Sequence, residues 1–370
     1  MRVLFCIKSM ATAGGGAERV LADLANGLAV RSHEVGIVTF DEAAPSFYAL
    51  DGRVEKFALR FCDVGQSISK GRLLWALPRI RRSVLDFKPD VCVALMHSSY
   101  VPVSLALCGT GIPVVASEHT TPEHFRGRMV ESALIRATSR LVAARTVVSE
   151  PVRSAFLRSR YPAAEVLSNP VDLDRFMAAG ESASPDESRT VLVVGGMRAE
   201  KAHSDAIAAF SRVANAFPHW TLRIVGEGSL RPALERQVLD LGLSDRVEMP
   251  GVCREMVEEY KRAAFMFVSS RYESFGLAAA EAMASARPVL AAQDCLGVAA
   301  LIESGVNGLL VSGGERRVEA FAEGLSSLMS DASLRARLGA SAPYAVRRFT
   351  KQNSVLEWER FLRQYECSPS

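Results

Sequence analysis

Short runs of Val, Ile and Leu recur along this chain without the polar alternation of a half-wetted strand: "RVLFCI" (2–7), "EVGIVTF" (34–40), "DVCVALM" (90–96), "PVVASE" (113–118) and "RTVVSE" (145–150). A strand that is apolar on both faces must be covered on both. Helical patterns lie between these runs, so they read as parallel strands sandwiched by helices. The pattern restarts with "TVLVVGG" (190–196), "WTLRIVGEG" (220–228), "RVEMPG" (246–251), "FMFVSS" (265–270), "PVLAA" (288–292) and "GLLVSG" (308–313). A chain of 370 residues also exceeds what one hydrophobic core supports. The expected class is therefore α/β: two doubly wound, Rossmann-like domains with an interdomain cleft between the carboxyl ends of the two sheets, where open α/β folds bind ligands.

The boundary falls where Gly, Ser, Pro and acids displace the hydrophobics, in "MAAGESASPDESRT" (177–190). The domains are expected at 1–170 and 190–349, with a linker at 171–189. In "TKQNSVLEWERFLRQY" (350–365), Val355, Leu356, Trp358, Phe361 and Leu362 fall near one helical stripe. Residues 350–370 thus read as a C-terminal helix, with the N-terminal domain as one surface it can cover.

With 49% hydrophobic and 23% charged residues and a net charge of +3, the chain reads as globular, with no general attraction to nucleic acid. Seven cysteines without a C-x-x-C pair argue against a zinc or disulfide framework and for a reducing compartment. The weakly polar stretch "VPVSLALCGTGIPVVAS" (101–117) is interrupted by Gly109, Gly111 and Pro113, which suits a helix, a turn and a buried strand rather than a membrane span.

The chemistry concentrates in "SSRYESFGLAAAEAMASARPVLA" (269–291). Strong helix formers follow Gly276 directly, so Glu273 precedes a helix and Glu281 lies just over one turn inside it. The amides of Phe275, Gly276 and Leu277 are then the unpaired N–H groups of a helix start, a site for an anion whose close approach Gly276 permits. A carboxylate at Glu281 matches two vicinal ribose hydroxyls. The plainer reading makes Glu273 a helix cap and Glu281 the partner of a surface arginine. Placed after a strand late in the second α/β domain, this stretch resembles the signature of the retaining glycosyltransferases of family 4, whose two-domain fold is called GT-B. The resemblance implies that Glu273 contacts the donor sugar, that Phe275, Gly276 and Leu277 bind the donor diphosphate, and that Glu281 holds the ribose of a nucleotide sugar.

Other landmarks of that family appear in order along nearly the whole chain. "GGGAERV" (14–20) resembles its glycine loop, which puts Gly15 and Gly16 near the acceptor and donor diphosphate; Arg19 breaks the G-x-G-x-x-G spacing of a dinucleotide site. "SEHT" (117–120) resembles its histidine segment and makes His119 the contact to the transferred sugar, whereas a histidine at a strand end otherwise serves loop hydrogen bonds. "VVGGMRAEKAH" (193–203) resembles the family's "GR…EKG" segment. Lys201 matches its lysine, but Gly196 stands where the arginine is usual, so Arg198 is assigned the role of neutralising the diphosphate. Ordinary surface cations look the same in sequence. In "MPGVCREMVEEY" (249–260) the family pairs the base with the backbone after the glycine, here Val252.

The resemblance implies retaining transfer of a hexosyl or N-acetylhexosaminyl group from a nucleotide diphosphate sugar, with UDP as the family's usual nucleotide. His119 and Glu273 are the expected catalytic residues, and no cofactor is expected. No D-x-D follows one of these strands, so Arg198, Lys201 and the helix amides are expected to take the leaving-group charge without a metal. "SKGRLLWALPRIRRSVLDFKPD" (69–90) sets Lys70, Arg72, Arg79, Arg81 and Arg82 among apolar residues and Trp75. Such a segment suits an anionic bilayer or a diphosphate-linked lipid, although helices of α/β folds are routinely amphipathic. Pro78 is expected to kink or start its helix. With "GGGAERV" and "SEHT", this segment is similar to enzymes that extend bacterial lipid-linked oligosaccharides, lipopolysaccharide or other surface glycans. That implies a lipid-linked or oligosaccharide acceptor, contact with an anionic membrane surface, no nucleic acid, and a cytoplasmic, peripheral location on the inner face of the membrane. The same fold serves sugar phosphorylases and nucleotide-sugar epimerases, and a non-catalytic glycan-binding protein is the remaining class.

Overall fold

The computed structural model describes residues 1–42, 44–62, 70–181 and 188–366, apart from the side chains of residues 70–74 and 179–181. The chain forms two compact units: Met1–Pro170 together with the C-terminal segment from Lys351, and Val171–Thr350.

The first unit is built on β1 (Arg2–Ile7), β2 (Glu34–Thr39), β3 (Glu55–Ala58), β4 (Val91–Leu95), β5 (Val114–Glu118), β6 (Ala144–Val147) and β7 (Glu165–Val166). All pair in parallel, in the order 3-2-1-4-5-6-7. The second carries β8 (Thr190–Val194), β9 (Thr221–Val225), β10 (Val247–Gly251), β11 (Phe265–Val268), β12 (Val289–Ala292) and β13 (Gly308–Val311), also parallel, in the order 10-9-8-11-12-13. The doubly apolar runs occupy the sheet centres: Val3 to Cys6 and Val91 to Ala94 are fully buried. In each sheet the strand order reverses once, between β1 and β4 and between β8 and β11.

Several boundaries differ from expectation for local reasons. "RTVVSE" stops being a strand at Val147, because Pro151 suits a first helical turn and the helix Glu150–Arg158 begins there. β3 and β7 were not foreseen, being edge strands of four and two residues that carry charge. Within the segment expected to be a linker, Leu173–Glu181 is a helix of the second unit, anchored by buried Leu173 and Phe176, the latter edge-on to Tyr260 at 5.5 Å. Residues 182–187 of that segment lie outside the described residues.

The C-terminal helix Lys351–Leu362 belongs to the first unit and packs on the helix Gly16–Val30. Gly27 permits this approach, since a Cβ there would lie 2.3 Å from Val355 Cγ2. Glu359 fastens the contact, accepting from Arg31 Nε at 2.5 Å and lying 3.1 Å from His33 Nε2. In the basic helix Lys70–Phe87, Pro78 lies inside the helix rather than at its start. A buried stripe of Ala76, Ile80, Val84 and Phe87 holds that helix down. At about 1.5–3 kcal/mol for each large side chain, the stripe outweighs the roughly 3 kcal/mol that an interior proline costs. Among the described residues no helix is long and apolar enough to cross a membrane.

Candidate active site

Doubly wound sheets bind ligands beyond the carboxyl ends of their strands, where the strand order reverses. In the second unit β8 and β11 meet at that point, and their loops bring Lys201 and Glu273 together. Lys201 Nζ lies 2.5 Å from Glu273 Oε1, and the same carboxylate oxygen accepts from Ser270 Oγ at 2.8 Å. The loops are tied twice more, by Ser269 Oγ donating to Lys201 O and by Arg271 N donating to Glu200 O, both at 2.8 Å. The side chains of Lys201 and Glu273 are only 17% and 20% exposed, so both charges are largely withdrawn from water yet reachable. A third loop supports the second: Gly297 N donates to Glu273 O at 3.0 Å, and Arg317 Nη2 donates to Ser270 O and Asp294 Oδ1, each at 3.0 Å.

Gly276 precedes the helix Leu277–Ala284 in the left-handed region, φ 89° and ψ 58°. Having no side chain, it cannot cap the helix start, and Glu273 spends its carboxylate on Lys201 and Ser270 instead of capping. Glu281 lies in the second turn and is buried, accepting from Tyr260 Oη at 2.8 Å. Arg198 is 61% exposed and pairs through Nε with Glu200 at 2.8 Å. Its guanidinium lies over Gly196: a Cβ built at Gly196 would sit 3.6 Å from Arg198 Nε, so the cation fills the space beside the position where the family arginine is usual. Ala202 is left-handed, φ 48° and ψ 42°, where the family segment "EKG" has glycine. Next to it, burial pushes the His203 imidazole down from its ordinary pKa while its Nε2 lies 3.1 Å from Gly195 O. Val252 is partly exposed just past β10, after Gly251 at φ 88°.

In the first unit the corresponding loops follow β1 and β4. The left-handed glycine of the "GGG" turn is Gly14, φ 69°, while Gly15 precedes the helix Gly16–Val30 and Gly16 opens it. The Glu18 carboxylate folds over this turn, since a Cβ on Gly15 would lie 2.1 Å from Glu18 Oε2. At the end of β5, His119 Nε2 is 3.1 Å from Ser117 Oγ. The buried Glu118 carboxylate holds the backbone here, accepting from His119 N at 3.0 Å, Thr120 N at 3.1 Å and Tyr100 Oη at 2.8 Å. Burial pushes the His119 pKa down to about 4, so the imidazole is neutral at pH 7.

One expected contact residue has another task. Arg81, read as an acceptor or membrane contact, donates from Nη1 to Ala106 O at 2.9 Å and Cys108 O at 3.0 Å. It thereby satisfies the last carbonyl of the helix His97–Ala106, which has no partner within the helix, and a second carbonyl two residues beyond it. Arg79 and Arg82 are exposed, as is Trp75 at 80%. The side chains of Lys70 and Arg72 lie outside the described residues. Sequence reasoning missed Ser270, Tyr260, Arg317, Tyr100 and Glu118. Ser270, Glu118 and Tyr260 lie inside quoted motifs and were within reach; Arg317 and Tyr100 act across distant segments and carry no local signal.

The family described as "Glycosyltransferase Family 4" matches residues 14–175, and "Glycosyl transferases group 1" matches residues 175–344. The chain belongs to the family 4 glycosyltransferases. The first match takes in the glycine turn and His119, the second Lys201, Glu273 and Glu281. This glycosyltransferase is 30% identical over 289 residues to an exopolysaccharide phosphotransferase from Streptomyces coelicolor. The match covers 77% of this chain but 30% of that protein, so the chain spans under a third of that relative's length. Sucrose-phosphate synthase from Thermosynechococcus elongatus shares the fold at a TM-score of 0.85, with 19% identity over 98% of both chains. Anabaena HepE, in complex with UDP-glucose, does so at a TM-score of 0.76, with 22% identity over 98% of this chain and 100% of its own. This glycosyltransferase therefore has the GT-B fold.

Proposed function

We propose that this glycosyltransferase is a retaining enzyme that moves a hexosyl or N-acetylhexosaminyl group from a UDP-sugar to a lipid-linked or oligosaccharide acceptor of a bacterial surface glycan, without a metal in the transfer step. The observation that carries this reading is the Lys201–Glu273 pair at the strand-order reversal of the second unit, beside the glycine-led start of a helix that holds buried Glu281. Lys201, Arg198 and the amides of Phe275, Gly276 and Leu277 bind the diphosphate, the helix dipole adding to the two cations. Glu281, oriented by Tyr260, takes the ribose hydroxyls, and the backbone at Val252 meets the base. Neutral His119 and Glu273 orient the sugar by hydrogen bonds. The acceptor oxygen attacks the anomeric carbon from the face that the phosphate leaves, and the departing phosphate oxygen takes the acceptor's proton. HepE's UDP-glucose supports UDP as the nucleotide, and the exopolysaccharide relative supports a glycan acceptor. Exposed Trp75, Arg79 and Arg82 support a peripheral site on an anionic membrane face.

A thermal-shift screen with UDP, GDP and ADP sugars tests the donor, since a ligand bound only by the native state raises the melting temperature. UDP-sugars alone should do so, and UDP should be released only when a glycan acceptor is added. Phosphate-dependent cleavage, or interconversion of the nucleotide sugar without acceptor, overturns the reading. Complete failure to float with anionic liposomes removes its membrane part.

A further inference from the structure

Three side chains of the first unit that the transfer chemistry does not use converge on one point. His97 opens the helix His97–Ala106 after β4, His124 lies in the 3-10 turn Pro122–Phe125, and Glu131 stands in the first turn of the helix Met129–Thr138. One ligand atom from each lies within 4.8 Å of those of the other two. His97 Nε2 is 3.8 Å from Glu131 Oε2, and the imidazole centroids are 5.2 Å apart. Buried Phe125 stands edge-on to both rings, forming an apolar wall. All three polar residues are half-buried, so the point is withdrawn from bulk water without being sealed.

We propose that His97, His124 and Glu131 bind a divalent cation of the zinc class, with a fourth coordination position left for water. Two imidazoles and one carboxylate are a ligand set that suits zinc, whereas magnesium and calcium favour sites made of oxygen. Ligand atoms about 2.0–2.1 Å from a tetrahedral ion lie roughly 3.3–3.5 Å apart, so the 3.8 Å between His97 and Glu131 closes by a few tenths of an ångström, and the widest separation in the cluster, at most 4.8 Å, by up to about 1.5 Å.

The surroundings of His97 point the same way. Its Nδ1 is buried without a hydrogen-bond partner and lies 3.8 Å from Glu118 Oε2. A metal-bound histidine typically gives its other N–H to a carboxylate, which fixes the tautomer and the ring. Glu118 is already held for that purpose by Tyr100 Oη and two backbone amides. A cation on Nε2 would set the proton on Nδ1 facing Glu118 and give the orphaned atom its partner. Arg128 Nη1, 3.4 Å from Glu131 Oε2 and half-exposed, balances the carboxylate while the cation is absent and must swing aside when it binds. The site is made by the first unit alone and carries no step of the leaving-group chemistry.

The test uses the untagged, chelator-stripped 370-residue chain. Cobalt(II) reports coordination by its visible absorption, and zinc binding is followed by calorimetry and by competition against cobalt. One equivalent should bind, and zinc should displace cobalt. His124→Ala and Glu131→Gln should each weaken zinc at least tenfold and abolish the zinc-induced rise in melting temperature expected of the native chain. Glu118→Gln should weaken it roughly 10-fold or more by releasing His97. His219→Ala, at an exposed histidine of the second unit, should leave it unchanged. If circular dichroism shows a variant misfolded, His97→Gln replaces it. The proposal is overturned if no stoichiometric zinc binds, or if binding survives His124→Ala and Glu131→Gln at native affinity.

Discussion

Neutralising Glu273 and neutralising Lys201 should have opposite effects on nucleotide affinity, although each change breaks the same 2.5 Å ion pair. In Lys201→Met, the Glu273 carboxylate, 20% exposed, loses its cation and keeps Ser270 Oγ. Leaving a mostly buried charge under-paired costs about 1–3 kcal/mol. In a unit of this size each kcal/mol lowers the melting temperature by about 2–4 °C, so a fall of roughly 2–12 °C is expected. The variant also loses a charge-assisted hydrogen bond to the diphosphate worth about 1.5–3 kcal/mol, which weakens UDP by a factor of about 10 to 150. In Glu273→Gln, by contrast, Lys201 is released from its competitor. UDP carries no sugar for Glu273 to hold, so this variant should bind UDP at least as tightly as the native chain while its transfer rate falls about 100-fold. Calorimetry with UDP and turnover with acceptor separate the two effects, and the double variant measures the coupling of the pair, expected at about 0.5–3 kcal/mol in stability. If Glu273→Gln weakens UDP as much as Lys201→Met does, the pair is only a tie between two loops and the donor-site assignment fails.

Two backbone changes should act in opposite directions. Gly276→Ala forces a left-handed side chain, about 1–2 kcal/mol, and sets its Cβ 2.5 Å from Val298 Cγ2, so both melting temperature and UDP affinity should drop. Ala202→Gly relieves the same strain at φ 48° and should raise the urea midpoint, the net gain reaching about 1 kcal/mol at most after the entropy of the added glycine. Glu281→Gln should bring UDP and its 2′,3′-dideoxy analogue to similar affinities; a preference that survives intact removes Glu281 from the ribose site. For His119 the folded pKa of about 4 lies below the ordinary 6.5, so the unfolded chain binds more protons between those values. The stability tied to the neutral imidazole is present above pH 6.5 and is lost as pH falls toward 4, a span of about 3 kcal/mol. His119→Asn should flatten that part of the stability–pH curve, and an unchanged slope refutes the burial argument.

How much of this was legible in the sequence follows from which contacts are local. The central strands were, because burial on both faces writes itself as unbroken apolar runs, whereas β3 ("EKFA") and β7 ("EV") are edges whose strand character exists only through their neighbours. The helix Leu173–Glu181 was hidden by its neighbour: Leu173 and Phe176 form an apolar repeat just before the polar stretch 177–190, and the expected linker, 171–189, took in both. Arg79, Arg81 and Arg82 looked alike as a basic cluster, yet only Arg81 is placed to reach the neighbouring helix end. The active site shows the deeper limit. Lys201 and Glu273 are 72 residues apart and meet because β8 and β11 are adjacent, while β9 and β10 are laid on the other side of β8. Equally buried parallel strands carry no mark of their order, so the run of apolar segments establishes that a sheet exists without saying which loops share its reversal point. The family motif named both residues as donor contacts without saying that they pair with each other, and the contact with Ser270 and the Ser269 tie to Lys201 O needed that order to be known.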